Sequence, residues 1–414
     1  MKRIVYITAL AAFYIFSGCR EEERLIYMDE SDTAPAPITI KGNPVSIPGG
    51  AIIKYQIPND EHLLGVKAVY ERNGEICETK ASLYKDSLVI EGYGDTDTHD
   101  VNIYSIGRNE KLSVPLKVEI TPLTPSVDVT VTDLAATFGG VEVSFSDNLS
   151  RENLALVLLV DSTGNGIWQP LRTFYTSAVS GRFYGRGLAP KEMRFAVYLR
   201  DRWNNKSDTL TKLLTPFEEV RIPPDRFKNA KLPTDFYEPS GGNSTYVLEG
   251  LWNGQTYATS YSGAFCTPNS TPIPFHFTIE LGRTAIINRF KIYPHSTGIY
   301  TNSFVRFFEL WGTDEPPLDG SFDNWHKIGD WEIFKPSGYG EGAEVGTVTD
   351  EDRNYITSGG DYNIESTAEI PNPFIPIKYL RFKLNNTFET YRTGATQAYV
   401  VLAELELWGK IVEE

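Results

Sequence analysis

Three observations predict an all-β chain of several sandwich domains: punctuated composition, period-2 alternation, and a long internal repeat. Gly 34 and Pro 25 break the backbone often, aromatics are plentiful (Phe 22, Tyr 23, Trp 7) and Met is scarce at 3. Many short strands joined by turns have this composition, and helical bundles do not. With 414 residues, 41% of them hydrophobic, the chain is too apolar for disorder and long enough for two to four domains. Its 39 Lys+Arg against 54 Asp+Glu leave a net charge of -15. That field repels phosphate backbones and anionic lipid heads, which argues against a nucleic-acid partner.

The N-terminus carries an address. Lys2 and Arg3 precede an apolar run over residues 4–16, interrupted by Thr8. It has the length of a secretory segment and is too short to span a bilayer. Phe16-Ser17-Gly18-Cys19 then resembles a bacterial lipobox, with Phe16 where an aliphatic residue is usual. The resemblance implies a signal peptide over residues 1–18 and a lipid on Cys19, the new N-terminus. Behind it, Glu21-Glu22-Glu23 is similar to the surface-export signal of Bacteroidota lipoproteins, which implies an outer-membrane protein facing the cell exterior. Residues 19–36 are polar, without periodicity, and read as a tether. Apart from Cys19, only Cys77 and Cys266 remain, which excludes a disulfide framework or a thiolate cluster. Both read as small buried apolar residues.

Shifting the chain by 94 residues superposes Ile103-Tyr104 on Val197-Tyr198, Ser113 on Ser207 and Thr121-Pro122-Leu123 on Thr215-Pro216-Phe217. So long a period suits whole sandwiches in tandem, over residues 37–123 and 124–217. Strands are predicted at residues 51–56, 66–70, 88–90, 101–106 and 114–120, then at 141–145, 154–161, 194–199 and 209–214. Val141, Val143 and Phe145 alternate with Glu142 and Ser144, the pattern of a strand with one face buried. At Asn204-Asn205 a hairpin needs positive φ, which asparagine tolerates. This hairpin is similar to the late one of immunoglobulin and fibronectin type III-like domains, and the pair resembles the spacer modules of Bacteroidota surface lipoproteins. Asp95, Asp97 and His99 tempt a calcium-loop reading, but His99 and Asp100 stand where an EF-hand needs an oxygen ligand and a glycine.

Residues 218–235, with Pro223-Pro224 and Pro233, read as a linker. Beyond it come Leu251-Trp252-Asn253-Gly254, Glu280-Leu281-Gly282, Phe308-Glu309-Leu310-Trp311-Gly312 and Glu404-Leu405-Glu406-Leu407-Trp408-Gly409. Their order over residues 236–410 resembles the discoidin domain, also called factor 5/8 type C or galactose-binding-like. That implies a jelly roll. Trp311 and Trp408 are expected in its core. The resemblance also implies a structural calcium ion where the Asp-Gly loop meets the first glutamate of the last strand. Carried over, these are Asn253 and Glu404, with Thr256 nearby. Calcium wants six to eight oxygens, and Asn253 replaces a carboxylate, so the site is expected to be weak.

Five histidines stand singly, no nucleophile motif occurs, and Glu404 and Glu406 are neighbours on one strand, which cannot flank a sugar. Catalysis is not expected. The leading expectation is a non-catalytic glycan binder of a polysaccharide-utilisation system. A sugar is held by an aromatic face and by polar forks on its hydroxyls. The candidates are Tyr257, Tyr261, His295, Tyr300, Trp325, Tyr391 and Arg392. The alternative is a scaffold for a partner protein of an outer-membrane nutrient-uptake complex.

Overall fold

A computed structural model describes residues 33–256 and 262–413, so Cys19, Tyr257 and Tyr261 lie outside the described residues. The chain is all-β, with two tandem sandwiches followed by a jelly roll. Contacts divide it into two compact units. The first holds most of both sandwiches, and the second runs from Leu214 onward and takes in residues 135–141 and 186–192.

In the first sandwich, Gly50–Gln56 is flanked by Val45–Ile47, Thr39–Ile40 and Ser87–Glu91. The other sheet runs in the order Glu75–Ser82, Leu63–Arg72, His99–Gly107, Leu116–Ile120. Alternate residues of both sheets, Ala51, Ile53 and Tyr55 with Val66, Ala68, Val101 and Ile103, share one core. The second sandwich repeats the scheme. Gly181–Arg186, Gly140–Ser146 and Val131–Thr137 form one sheet, and Gln169–Thr176, Leu154–Asp161, Met193–Arg200 and Leu210–Leu214 the other.

The 94-residue repeat extends to single hydrogen bonds. Ser113 Oγ accepts from Ser105 N at 3.0 Å and donates to Val114 O at 2.9 Å. Ser207 Oγ accepts from Leu199 N at 2.9 Å and donates to Asp208 O at 2.8 Å. Each serine closes the hairpin that ends its sheet. Asn204, at φ 69, takes the left-handed turn position expected of it.

In the jelly roll the central strand is Phe275–Tyr293, 19 residues long. Its first part pairs with Ile377–Thr387, and from Thr284 onward it pairs with Glu404–Glu413. The sequence suggests two strands parted at Gly282, but one strand runs through and changes partner there. Gly282 sits at φ +67, where a Cβ would lie 2.7 Å from Arg226 O, so the bend needs glycine. Val305–Thr313 and His326–Glu332 extend the sheet, with Phe277, Phe382 and Phe308 stacked across three strands at 5.2 and 4.9 Å. The stretch expected as a linker contributes two strands: Val220–Arg221 pairs with the closing strand and Lys228–Asn229 with the central one. Prolines between them confine each to two residues. Trp311 and Trp408 are half-buried rather than in the core. Arg289 covers Trp408 at 4.2 Å, and Trp311 Nε1 donates to Glu309 Oε2 at 2.8 Å.

Candidate functional site

A cleft of about 450 Å³ opens in the C-terminal domain between residues 300–302, residues 343–347 and the short helix Phe388–Thr393. The helix begins with a reciprocal cap between Thr387 and Thr390 and stops at Gly394, φ 73. It sets Phe388, Glu389 and Arg392 on the cleft wall. Opposite, Asn302 takes φ 48, and its carbonyl receives Glu389 N–H at 3.0 Å.

Two buried cations fix these walls. Arg306, 2% exposed, donates from Nη1 to Ala343 O at 3.1 Å and from Nε to Glu332 Oε1 at 2.9 Å. Its guanidinium lies 4.4 Å from the Tyr339 ring and 4.2 Å from that of Tyr391. Tyr391 therefore rests on a cation and on Phe307 (5.0 Å), while 40% of it stays exposed. Lys335 donates to Gly338 O at 2.7 Å and Thr347 O at 2.9 Å, and lies 3.3 Å from Asp352 Oδ2. Asp352 is buried, and accepts from Ser337 N and Oγ and from Thr349 N. Against the opposing effect of burial, these bonds hold its carboxyl well below the usual carboxylate range.

Of the residues expected to touch sugar, the structure brings Arg392 and Tyr300 to this cleft and puts Tyr391 on the same helix as Arg392. Three are corrected as contact side chains by their burial. Tyr300, 1% exposed, lines the floor with its hydroxyl turned inward to Phe334 O (2.9 Å) and Asp352 O (3.3 Å). His295 is buried, and its Nδ1 is engaged by Thr297 Oγ1 at 3.1 Å. Trp325 is buried beneath Arg381, whose guanidinium lies 4.2 Å from its ring. Arg381 in turn donates to Thr278 Oγ1 at 3.1 Å and Ser321 O at 3.0 Å. A loop aromatic with a polar edge folds inward when a buried carbonyl or cation waits for it. Glu389, Glu344 and Asn302 were missed by the sequence reading. The usable signal was the Thr387, Thr390 and Gly394 capping pattern, which marks a helix bearing Tyr391 and Arg392.

Asn253 and Glu404 meet at the expected turn. Gly254 N–H points at both Glu404 oxygens, 3.2 and 3.1 Å away, while Asn253 Oδ1 accepts from Gln255 N at 2.8 Å. Burial pushes the Glu404 carboxyl up to about 7. Among the described residues no ion pair reaches it, and no group of three His, Cys, Asp or Glu side chains clusters for a metal. Glu404 offers carboxylate oxygens and Asn253 an amide oxygen, the donor type a hard ion takes, and these oxygens now accept from Gly254 N–H and Gln255 N–H. Cys266 is buried, its thiol pushed up to about 11, and Cys77 is half-buried on the strand Glu75–Ser82.

Three family profiles, each described as a domain of unknown function, match the chain. DUF4959 covers residues 35–122, DUF5126 residues 123–225 and DUF5000 residues 252–409. No curated protein matches. Among solved structures, a SusE-like protein is 27% identical, with 70% of this chain and 100% of that one aligned at a TM-score of 0.41. The C-terminal domain of a chitobiase from Bacteroides fragilis is 14% identical over 47% of this chain and 99% of its own, with a TM-score of 0.31. A family 32 carbohydrate-binding module from C. perfringens, solved with galactose, is 12% identical over 46% of this chain and 98% of its own, at 0.28. Among the described residues, no helix is long and apolar enough to cross a membrane.

Proposed function

We propose that this chain is a non-catalytic carbohydrate-binding lipoprotein of the bacterial outer membrane, held by lipid on Cys19 and presenting the cleft of its C-terminal domain to glycans outside the cell. The observation that carries the reading is the convergence of hydrogen-bonding side chains at one cleft, whose walling helix also bears a braced, exposed aromatic ring. Arg392, Glu389 and Asn302 line the cleft and supply donors and acceptors, while Tyr391, backed by Arg306, is the exposed ring on the same helix as Arg392. A sugar needs both, because its C–H face is apolar and its rim is hydroxyl. The two sandwiches act as spacers. The protein serves a polysaccharide-utilisation system, where nutrient-uptake proteins of the outer membrane are its neighbours.

A glycan array probed with the full chain tests this. Saccharide-specific retention that Tyr391→Ala weakens about tenfold or more is expected. Retention of no saccharide overturns it in favour of the protein-scaffold alternative. Palmitate labelling lost on Cys19→Ala is expected for the anchor, and label kept on that variant removes it.

The turn at Asn253 is proposed to hold calcium, with Glu404 supplying charge and Asn253 and Thr256 neutral oxygens. Excess calcium should raise the melting temperature against chelator, by the equivalent of about 2.7 kcal/mol at a hundredfold excess over Kd. Glu404→Gln should abolish most of the shift. Identical melting with calcium and with chelator ends the proposal.

A further inference from the structure

The charge arrangement in the cleft bears on which saccharides it takes, and the inference rests on the glycan-binding reading above. Arg392 is the cation at the mouth of the cleft, and its hydrogen bonds among the described residues leave from one nitrogen. Nη2 donates to Glu389 Oε1 at 2.9 Å and Oε2 at 2.8 Å. Glu344, exposed on the facing segment, lines the same cleft. Glu389 first, and Glu344 behind it, raise the guanidinium's hold on its proton above the ordinary arginine value. The cleft thus carries two carboxylates against one guanidinium, on a chain whose net charge is already -15.

A hydroxyl and a carboxylate meet this site differently. A sugar hydroxyl both accepts and donates, so adjacent hydroxyls can take the remaining Nε and Nη1 donors of Arg392 while passing their own hydrogens to Glu389 or Glu344. A carboxylate or sulfate ester only accepts. To reach Arg392 it must displace Glu389 from Nη2 and then sit beside two uncompensated negative charges. The surface position does not remove this repulsion, because the three groups and the ligand lie well within one screening length at ordinary salt.

We propose that the cleft selects uncharged, hydroxyl-rich saccharides, and that the Glu389–Arg392 pair turns away carboxylated and sulfated ones. Arg392 alone would read as an anion receptor. Paired, it is a hydroxyl receptor.

The test is an array carrying neutral, uronate-containing and sulfated saccharides, probed with the full chain and with Glu389→Gln. The expected result is retention on neutral saccharides, with matched uronates bound at least about tenfold more weakly. Glu389→Gln should narrow that gap by releasing Arg392, and about 1 M salt, with a screening length near 3 Å, should narrow it in the parent protein. Uronates or sulfated saccharides bound as tightly as neutral ones overturn the selectivity while leaving the glycan reading intact. An unchanged gap in Glu389→Gln, with unaltered melting, removes the pair as its cause. Retention of no saccharide fails the underlying reading itself.

Discussion

In the second sandwich the buried carboxylates are met by backbone of their own turns. Asp161 accepts from Gly164 N at 2.7 Å and Gly166 N at 2.8 Å, and Asp201 from Trp203 N at 2.8 Å and Asn205 N at 2.9 Å. In the C-terminal domain the buried charges reach across the chain instead. Asp352 faces Lys335, Arg381 bonds Thr278, and Arg306 joins Glu332, Ala343 and three aromatic residues of the cleft region. The fully buried arginines and lysine, Arg283, Arg306, Lys335 and Arg381, all belong to this second region. A turn that satisfies its own carboxylate is a self-contained corner and asks nothing of distant segments. A buried cation shared by several segments fixes them relative to one another, and Arg306 and Lys335 in this way hold the segment 343–347 that walls the cleft.

The largest test sets Asp352→Ala against Asp201→Ala in urea unfolding of the full chain. Breaking the buried pair should cost roughly 3–5 kcal/mol, because Lys335 is left uncompensated. Removing the turn carboxylate should cost about 1–3 kcal/mol in orphaned N–H groups. Equal losses would erase the distinction between the regions.

A second test uses pH. His276 is partly buried, with Nε2 at 3.0 Å from Thr234 Oγ1, and burial, then Arg381 and Lys383, push its imidazole down to about 4. The unfolded chain, near 6.5, takes the proton first, so stability is present above that value and is lost as pH falls toward 4. About 2 kcal/mol should disappear from the C-terminal transition between roughly pH 7 and pH 5. His276→Gln should flatten the profile, and a slope that survives the substitution assigns the loss elsewhere.

The smallest effect sharpens the likeness of the two sandwiches. Ser113→Ala and Ser207→Ala should each cost about 1 kcal/mol, and the double variant should show their sum, since the two hairpins share no partner. Unequal single costs beyond about 1 kcal/mol would show that the repeated bonds are not repeated energetically.

Legibility followed burial. Strands with one face in the core, such as Gly140–Ser146 and Met193–Arg200, announce themselves by alternation. Glu75–Ser82 and Gln169–Thr176 were not read, and both are outer strands of their sheets. With Ile76 70% and Tyr175 73% exposed, their apolar residues do not mark a buried face. On the helix that walls the cleft, Tyr391 and Arg392 were legible as an aromatic and a fork adjacent in sequence, and Arg392 lines the cleft. Glu389 and Glu344 were not, because a carboxylate gains its role only from the guanidinium that the fold brings to it. His295, Tyr300 and Trp325 misled for the converse reason: composition marks a loop, but not which way its side chains turn.

The change of partner along Phe275–Tyr293 has a consequence for synthesis. The pairings of the first sandwich lie within residues 39–120, so that region can close early as the chain emerges from its N-terminus. Apart from two-residue pairings with Lys228–Asn229 and Tyr362–Asn363, the central strand of the jelly roll finds its long neighbours only at Ile377–Thr387 and Glu404–Glu413. At about 5–20 residues per second, its later half waits on the order of ten seconds with an unpaired edge. During that interval Phe290 and Ile292, destined for full burial, depend on chaperones or on transient local collapse to avoid pairing with another nascent chain.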